Sequence, residues 1–327
     1  MNFIIDESNA GKSMLVFLKN TVGISRSAIS HLKQIPDGIC VNGMHVNVRY
    51  ILRVGDNVSI KIADTEEMVN ENILPKDLNV DIVYEDDHII ATNKPINMPT
   101  HPSHNHHDDT LGNAMAYIYS QRNIPFVFRP LGRLDKNTSG LVILSKTRAA
   151  ASFYFNEAKR GRIQKHYVAI LDGEITADKD TVYSIDAPIK RMGDSIITRI
   201  VSHKDDPDAS SALTLWRLIY SGNGISIVDA SPITGRTHQI RVHFASIGHA
   251  LVGDTLYGDG KYGFDCHLLH AIALSTKECF TDKELKLYAP PNSIMQEFVK
   301  DVTDKELIEI IDNYSFFVAP SQDKEKQ

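Results

Sequence analysis

The chain has 327 residues, about twice the length of a typical domain, and this length predicts two domains. Hydrophobic residues make up 42% of the chain and charged residues 23%. That composition is ordinary for a folded protein and excludes disorder along most of the length. The formal net charge of −6 argues against a simple basic nucleic-acid binder.

Three features of the sequence bear on location. No apolar run approaches the ~18 residues that span a membrane, and acids stand near the N-terminus where a signal peptide has basic residues. The three cysteines, Cys40, Cys266 and Cys279, are scattered and predict neither a disulfide framework nor a zinc site. We therefore expect a cytoplasmic protein without a membrane segment.

Charge is distributed unevenly along the chain. Residues 1–63 carry seven Lys or Arg against four acids, whereas residues 64–90 carry nine acids and one lysine. Residues 131–170 carry eight Lys or Arg and two acids. Clustered basic residues are typical of nucleic-acid binders even when the total charge is negative. The alternative is that each cluster is a solvated surface.

The basic N-terminal segment predicts a small module. Apolar residues at helical spacing over 13–22 predict one helix, and Ser25 is the predicted N-cap of a second. Asn42-Gly43 between two short apolar runs predicts a β-hairpin. Alternating apolar residues over 54–62 predict a further strand.

Two helices followed by a small hairpin sheet resemble the S4-like RNA-binding fold. The resemblance rests on three segments: Ser25-Arg26-Ser27, Val41-Asn42-Gly43 and Val54-Gly55-Asp56. One departure is Lys12-Ser13-Met14, where that family has Arg-Leu-Asp. The resemblance implies that this N-terminal module binds RNA through Arg26 and Lys33.

A histidine-rich loop follows the first two strands predicted for the second domain, over 80–84 and 88–94. The loop holds four histidines and two aspartates: His101, His104, His106, His107, Asp108 and Asp109. Imidazoles and carboxylates bind several metals, but the loop lacks the i, i+4 spacing that places two histidines on one helix face. We expect a solvated polar loop and no metal.

The most informative stretch is a polar loop followed by an apolar run, Leu141–Leu144, which predicts a buried strand. The loop holds Asp135 between Arg133 and Lys136. Neighbouring cations keep a carboxylate ionised, which suits a nucleophile or a general base. The alternative is a structural aspartate that caps a turn through the backbone of residues 138–140.

Three ordered segments of the second domain are similar to the RluA-type RNA pseudouridine synthases. They are Arg133–Leu141 (Arg-Leu-Asp-x-x-Thr-Ser-Gly-Leu), Lys165–Ala169 (Lys-x-Tyr-x-Ala) and Thr234–Phe244. Two short downstream segments, 253–258 and 269–271, agree as well. Gly132 departs from the family, which usually has histidine before the arginine. The resemblance covers about residues 80–292.

This resemblance implies an RNA-uridine isomerase. The family's reaction breaks the N1–C1′ bond of uridine, rotates the base and rejoins it through C5, so it needs no cofactor. The resemblance makes Asp135 the essential carboxylate, either as a nucleophile at C1′ or as a base toward a sugar proton. Arg241 is expected to pair with Asp135. Tyr167 is expected to pack on the base and is a candidate base for the C5 proton, and Leu269 is expected to pack on the other face.

RNA is the implied substrate and partner, and the target uridine must leave its stack to reach Asp135. The resemblance places Arg133 in the RNA near the vacated position. Three further residues are candidate substrate-binding residues: Thr138, Arg236 and His238. A basic stripe is placed to hold phosphates, with a solvated helix end as the alternative: Lys159, Arg160, Arg162 and Lys165. We expect a monomer that acts on ribosomal or transfer RNA.

The second domain is rich in adjacent strand pairs, such as the hairpin predicted around 221–224. This pattern predicts an α+β fold with a mixed, largely antiparallel sheet. A helix over 235–247 is predicted to carry Arg241 toward the site. We expect four segments in the whole chain: an S4-like module (1–63), an acidic linker (64–79), a catalytic domain (80–293) and a C-terminal segment (294–327). The C-terminal segment is predicted to contain a surface helix (294–313) and a disordered end.

Two other functions stay open at this point. One is a non-catalytic RNA-binding protein with a degenerate synthase domain, although Asp135, Tyr167 and Arg241 are all present. The other is a metal-dependent hydrolase, which would rest on the histidine-rich loop alone. A stoichiometric metal in the purified protein would indicate the hydrolase.

Overall fold

The structure is a computed structural model, and it describes residues 2–24, 26–61, 73–193, 195–281, 283–312 and 316. The predictions made for Ser25, for most of the acidic linker and for the C-terminal end lie outside these residues. Within these ranges we find no helix with the length and apolar character that crossing a lipid bilayer requires.

The N-terminal module contains short helices and a four-stranded antiparallel sheet, in which the fourth strand of the chain lies between the first and the second, and the third pairs with the second. Its elements are β1 (Asn2–Ile4), α1 (Met14–Val16), a π-helical turn (Phe17–Thr21), α2 (Arg26–Leu32), β2 (Ile39–Val41), β3 (Met44–His45) and β4 (Asn57–Ile60). The predicted hairpin is confirmed. Asn42 and Gly43 have φ of 53° and 80°, as the two central residues of a type I′ turn require.

The N-terminal module packs directly on the second domain through an aromatic junction. The ring of Phe280 lies 6.3 Å from that of Phe3 in the module and 5.4 Å from that of Phe153 in the second domain, in edge-to-face contacts. Ala149 is buried in the same cluster as Met14 and Leu18 of the module. Edge-to-face rings add to the stabilisation that apolar burial provides, so the junction fixes the module against the second domain.

The second domain contains eleven strands and five helices among the described residues. The strands are β5 (Asp81–Glu85), β6 (Ile89–Lys94), β7 (Ser139–Ser145), β8 (Gln164–Asp172), β9 (Tyr183–Asp186), β10 (Ile189–Arg191), β11 (Arg199–Val201), β12 (Leu213–Gly222), β13 (Ile225–Pro232), β14 (Leu269–Lys277) and β15 (Glu284–Tyr288). The helices are α3 (Leu111–Gln121), α4 (Arg148–Lys159), α5 (Gln239–Ser246), α6 (Ser293–Thr303) and α7 (Leu307–Asp312).

Nine of these strands form one sheet, in the order β5-β6-β7-β14-β8-β13-β12-β9, with β15 paired to β14. Among the described strands of this sheet, β7 and β14 form the one parallel pair, and the other pairs are antiparallel. Strands β10 and β11 form a separate two-stranded hairpin. The α+β fold with a mixed, largely antiparallel sheet is therefore confirmed.

Strand β7 shows why helices cover both faces of the sheet. All seven of its residues are buried, and successive side chains point to opposite faces. Ile143 joins the cluster that contains Tyr154 of α4, whereas Leu144 joins the cluster that contains Met115 of α3. A strand buried on both faces reads as a continuous apolar run, which explains the sequence pattern over Leu141–Leu144.

Two helix predictions were wrong in detail. The single surface helix predicted over 294–313 is two helices, because Asp304 adopts the left-handed conformation (φ 57°) that ends α6. Both helices lie at the surface, as predicted: each buries apolar side chains, Met295 in α6 and Leu307 in α7, while α6 exposes Glu297 and Lys300. The helix predicted to begin at 235 begins at Gln239, because His238 also has a left-handed backbone (φ 58°).

Candidate active site

A cleft of about 690 Å³, here called the main cleft, opens at the edge of the sheet where β7 and β14 begin. Its walls come from the loop before β7, the start of β8, and the segment that leads into α5. The main cleft is lined by all eight residues predicted to be catalytic or substrate-binding: Arg133, Asp135, Thr138, Tyr167, Arg236, His238, Arg241 and Leu269. Residues far apart in the sequence therefore meet at one site.

The loop that carries Asp135 is held by buried hydrogen bonds. The fully buried Lys94 ammonium donates to the carbonyls of Met98 (2.7 Å) and Lys136 (3.1 Å). Burial lowers the pKa of Lys94 to about 7, which the charge of Asp135 partly opposes. Thr100 donates to the Leu134 carbonyl and accepts from its N–H, at 3.0 and 3.1 Å. The backbone on both sides of Asp135 is thus fixed before substrate binds.

Arg241 connects two carboxylates at the floor of the main cleft. Its Nε and Nη2 donate to the two carboxylate oxygens of Asp254, at 2.7 and 2.8 Å. Its Nη1 lies 3.6 Å from Oδ2 of Asp135. Asp254 is buried, whereas the side chain of Asp135 is 31% exposed and open to the cleft. Arg241 is therefore anchored by one carboxylate and directed at the other.

The pKa directions agree with this arrangement. Burial alone would lower the pKa of Arg241, but its hydrogen bonds and charge pairing with Asp254 raise it above its usual value. Burial would raise the pKa of Asp254, and the bonds from Arg241 lower it below its usual value. Bidentate pairs between a guanidinium and a carboxylate are strong and geometrically specific. Both groups consequently stay charged, although they are buried.

A hydrogen-bond chain behind Asp135 favours one tautomer of His238. The Tyr257 hydroxyl accepts from the Arg199 N–H at 2.9 Å, so its own proton is free to go to His238 Nδ1, 2.8 Å away. The other ring nitrogen, Nε2, then carries the imidazole proton, and it lies 3.8 Å from Oδ2 of Asp135. Burial lowers the pKa of His238, so the ring is neutral at neutral pH. His238 presents an N–H toward the carboxylate.

A second buried histidine supports the loop from the other side. His267 Nε2 and Thr138 Oγ1 are 2.8 Å apart, and both side chains are buried. Burial, reinforced by the charge of Arg241, lowers the pKa of His267 to about 3, so the ring stays neutral. Thr138 in turn donates its backbone N–H to the carbonyl of Asp135 at 3.1 Å. His267 thus holds the end of the loop three residues after Asp135.

Tyr167 and Leu269 form an apolar patch beside Asp135. They lie on neighbouring strands, with Tyr167 paired to Ala271, two residues from Leu269 on the same face of the sheet. Burial and the charge of Asp135 both raise the pKa of the Tyr167 hydroxyl. The phenol is therefore protonated at neutral pH before substrate binds. The patch is suited to contact a flat base.

The predicted phosphate-binding cations lie in different places. Lys165 lines the main cleft, and its Nζ would lie 2.9 Å from a Cβ at Gly132, so the glycine leaves room for this ammonium. Arg160 and Arg162 lie 3.0 and 3.8 Å from the buried carboxylate of Glu157. Lys159 is exposed at the end of α4, and Arg26 and Lys33 are exposed on the N-terminal module.

The histidine-rich loop forms no metal-binding cluster among the described residues, where no group of three or more His, Cys, Asp or Glu is placed to hold an ion. Instead, His106 Nδ1 lies 2.6 Å from Oδ2 of Asp109. His101 lines the main cleft, and its ring packs edge-to-face on Phe128 at 5.0 Å. The loop therefore serves as part of the cleft wall.

Comparison with known proteins assigns the family. The family model described as RNA pseudouridylate synthase matches residues 88–246. An uncharacterized RNA pseudouridine synthase of Bacillus subtilis is 33% identical over 279 residues, which are 85% of this chain and 95% of that protein. The chain belongs to the RNA pseudouridine synthase family.

Two more similarities support this assignment. Ribosomal large subunit pseudouridine synthase C of Vibrio cholerae is 29% identical over 90% of this chain and 94% of its own length. The solved structure of human RNA pseudouridylate synthase domain containing 1 covers 72% of this chain and 94% of its own, with a TM-score of 0.55 and 25% identity. As an RNA pseudouridine synthase, the chain is an isomerase that converts uridine to pseudouridine in RNA.

Several residues of this pseudouridine synthase site were not predicted as site residues from the sequence. Asp254 and Tyr257 stand in one of the short downstream segments, but nothing in that segment indicates that they support Arg241 and His238. For Lys94, the one local indication of a special role was its position at the end of a buried strand, directly before a proline. His267 carried no signal, because its partner Thr138 lies 129 residues away.

We predict that Tyr257→Phe lowers kcat roughly tenfold, because a small misplacement of a catalytic group is costly. The substitution removes the hydroxyl that favours this His238 tautomer and leaves the ring in place. The KM for RNA should be unchanged, and steady-state kinetics of pseudouridine formation measure both. Tyr117→Phe, on α3 and outside the main cleft, is the matched control. An unchanged kcat in Tyr257→Phe would show that the tautomer has no role in the reaction.

Proposed function

We propose that this protein isomerises specific uridines in structured ribosomal or transfer RNA, as a cytoplasmic monomer and without a cofactor, with Asp135 as the essential carboxylate. The reaction breaks the N1–C1′ bond, forms a C5–C1′ bond and moves the C5 proton to solvent while N1 gains one. The observation that carries the assignment is the position of Asp135. Its Oδ2 is 3.6 Å from the anchored guanidinium of Arg241 and borders an apolar patch that fits a base.

Asp135 needs to be ionised for either of its possible roles, attack at C1′ or removal of a sugar proton. Nη1 of Arg241 lies 3.6 Å from Oδ2 of Asp135, and Nε2 of His238 lies 3.8 Å from the same oxygen. The side chain is exposed enough for substrate to reach it. We propose that Arg241 and His238 orient the carboxylate, so that little reorganisation is needed when the substrate arrives.

Tyr167 and Leu269 are proposed to contact the two faces of the target base while the N1–C1′ bond is broken. A base held between apolar surfaces can rotate within its own plane, about the axis normal to the ring, without losing directed hydrogen bonds. Because the phenol of Tyr167 is protonated, we propose that it contacts the base and that another group or solvent receives the C5 proton. This revises the role suggested for Tyr167 by the sequence alone.

The target uridine has to be flipped out of its stack, as in other enzymes that act on a base. We propose that Arg133 occupies the vacated position, since it lines the main cleft two residues before Asp135. Thr138 and Arg236 are proposed to contact the flipped nucleotide. Lys165, whose Nζ lies at the cleft wall beside Gly132, is proposed to hold a phosphate. Lys159, Arg160 and Arg162, at and just after the end of α4, are proposed to contribute.

We also propose the division of the chain made from the sequence: an S4-like RNA-binding module (1–63), an acidic linker (64–79), a catalytic domain (80–293) and a C-terminal segment (294–327). The helix and hairpin arrangement of the module and the exposure of Arg26 and Lys33 support an RNA-binding role. The aromatic junction at Phe280 would keep the module at a constant distance from the main cleft.

Asp135→Asn is expected to lose pseudouridine formation by at least about a thousandfold, because a neutral amide serves neither as nucleophile nor as base. The fold should persist, since the partly exposed side chain is not a core residue. The measurement is pseudouridine mapping on an unmodified ribosomal or transfer RNA transcript, together with circular dichroism. Asp87→Asn, an exposed aspartate of the β5–β6 turn, is the control. Turnover by Asp135→Asn at the control's rate would refute the assignment.

The double substitution Arg26→Ala with Lys33→Ala tests the module. We expect weaker RNA binding and a less steep dependence of log Kd on log salt concentration, by roughly one for each lost phosphate contact. The kcat at saturating RNA should not change. Lys204→Ala with Lys286→Ala removes two exposed lysines from the second domain and serves as the control. Equal affinities for the two double variants would contradict an RNA-binding role for these residues.

A further inference from the structure

A second cleft lies beside the main cleft and has a volume of about 590 Å³. The two clefts share Arg236 and Thr237, which stand on the segment leading into α5. The other walls of the second cleft come from the β10–β11 hairpin and from the chain just before β12: Ile189, Lys190, Arg191, Gly193, Arg199, Asp208 and Ser210. The two clefts are therefore adjacent, with Arg236 and Thr237 as their shared wall.

The second cleft is strongly basic. Four cations line it, against one carboxylate, that of Asp208: Lys190, Arg191, Arg199 and Arg236. Lys190 is paired at 2.6 Å with Asp206, which does not line the cleft. The three arginines thus supply the net positive charge. A concave wall that concentrates one sign of charge raises the local concentration of the opposite ion, so the second cleft is suited to an anion.

Two of these arginines are placed where they repel each other. Arg191 and Arg199 are directly opposite in the antiparallel register of β10 and β11. Cβ atoms of directly opposed residues are about 5 Å apart, and like charges in this position destabilise a hairpin. An anion bound between the two guanidiniums would remove the repulsion. Because the Arg191–Arg199 pair does not stabilise the hairpin, its placement points to a role in binding an anion.

The guanidiniums of Arg236 and Arg199 are held by backbone carbonyls. Arg236 Nε donates to the Ser211 carbonyl at 2.9 Å. Arg199 Nη1 donates to the carbonyls of Ile196, Ile197 and Thr198 at 3.0–3.2 Å. Each guanidinium has five N–H donors, so both keep donors for a ligand. Because the side chains are already ordered, binding loses less conformational entropy.

The second cleft is also tied to the main cleft by hydrogen bonds. The backbone N–H of Arg199 donates to the Tyr257 hydroxyl, and that hydroxyl bonds to His238 in the main cleft. Gln239 accepts from the Arg236 N–H at 3.0 Å and from the Thr234 hydroxyl at 2.8 Å, which fixes the shared wall. The two clefts therefore have a fixed relative geometry, as one extended ligand requires.

We propose that the second cleft binds the phosphodiester backbone of the RNA strand that carries the target uridine, close to the flipped nucleotide. The proposal rests on the proposed function, because it needs an RNA strand in the main cleft. Arginines bind phosphate oxygens through two N–H groups at once, and the shared wall at Arg236 leads the strand from one cleft to the other. The volume is in the range of ligand-binding pockets, ~300–1,000 Å³.

Arg191 offers the cleanest test, because it is exposed and stands outside the main cleft. We expect Arg191→Glu to raise the Kd for RNA about tenfold at low salt, and Arg191→Ala to reduce the slope of log Kd against log salt by about 0.7–0.9. The kcat for pseudouridine formation should stay within about twofold, while KM follows Kd. The probe for binding is oligouridylate, and the probe for catalysis is the transcript that contains the mapped uridine.

Lys286→Glu is the matched control, since it makes the same charge change at an exposed residue of β15 that lines neither cleft. A Kd and a salt slope for Arg191→Glu equal to those of the control would overturn the proposal. This outcome is separate from failure of the proposed function. That failure would appear as absence of pseudouridine formation by the unsubstituted protein, whatever the effect of Arg191→Glu on binding.

A scan of the RNA with single neutral methylphosphonate linkages locates the phosphate. We expect one or a few linkages beside the target uridine to weaken binding by the unsubstituted protein and to have no further effect in Arg191→Ala. Equal losses in both proteins at every linkage would overturn the proposal.

Binding of inorganic phosphate tests whether the second cleft takes a free phosphate ion instead of an RNA phosphate. If phosphate binding is lost in Arg191→Glu while RNA affinity is unchanged, the second cleft binds a small anion and not RNA.

Discussion

The pairing of one buried guanidinium with two carboxylates is the interaction on which the site depends. Asp254 takes both the Nε and the Nη2 of Arg241, and only Nη1 is directed at Asp135. Removing one partner of a buried pair leaves an uncompensated charge, which costs about 3–5 kcal/mol. The Arg241–Asp254 pair therefore cannot rearrange freely. Asp135, the proposed essential carboxylate, is free to meet substrate, because Asp254 holds Arg241 in position without it.

The fold brings these groups together through one exception to its antiparallel pattern. Because β7 and β14 are parallel, the chain segments before them end at the same edge of the sheet. Asp135 lies in one of these segments and His267 in the other. Gly140 permits the close approach of the two strands, since a Cβ there would lie 2.2 Å from the Ala271 carbonyl oxygen. The hydrogen bond between Thr138 and His267, which holds the end of the Asp135 loop, joins the segments at the start of these two strands.

Local sequence signals predicted most elements of the fold, and matching segments predicted which residues line the main cleft. The Asn42-Gly43 turn and strand β7 are determined by residues that are neighbours in the sequence, so short sequence patterns were enough to predict them. The bidentate partner of Arg241 was not predicted, because charge alone cannot choose between Asp135 and Asp254. The break at Asp304 was missed because a left-handed residue other than glycine has a weak sequence signal. The second cleft depends on strand register and could not be predicted.

The most direct test of this account is the kcat of Asp254→Asn, measured beside its thermal unfolding and its RNA affinity. The substitution leaves Asp135 intact and removes the charge that anchors Arg241. We expect kcat to fall on the order of a hundredfold, because the carboxylate loses its orienting partner, with the Kd for RNA nearly unchanged and the unfolding temperature lowered. A folded Asp254→Asn protein with the kcat of the unsubstituted enzyme would contradict the claim that Asp254 positions Arg241 for catalysis.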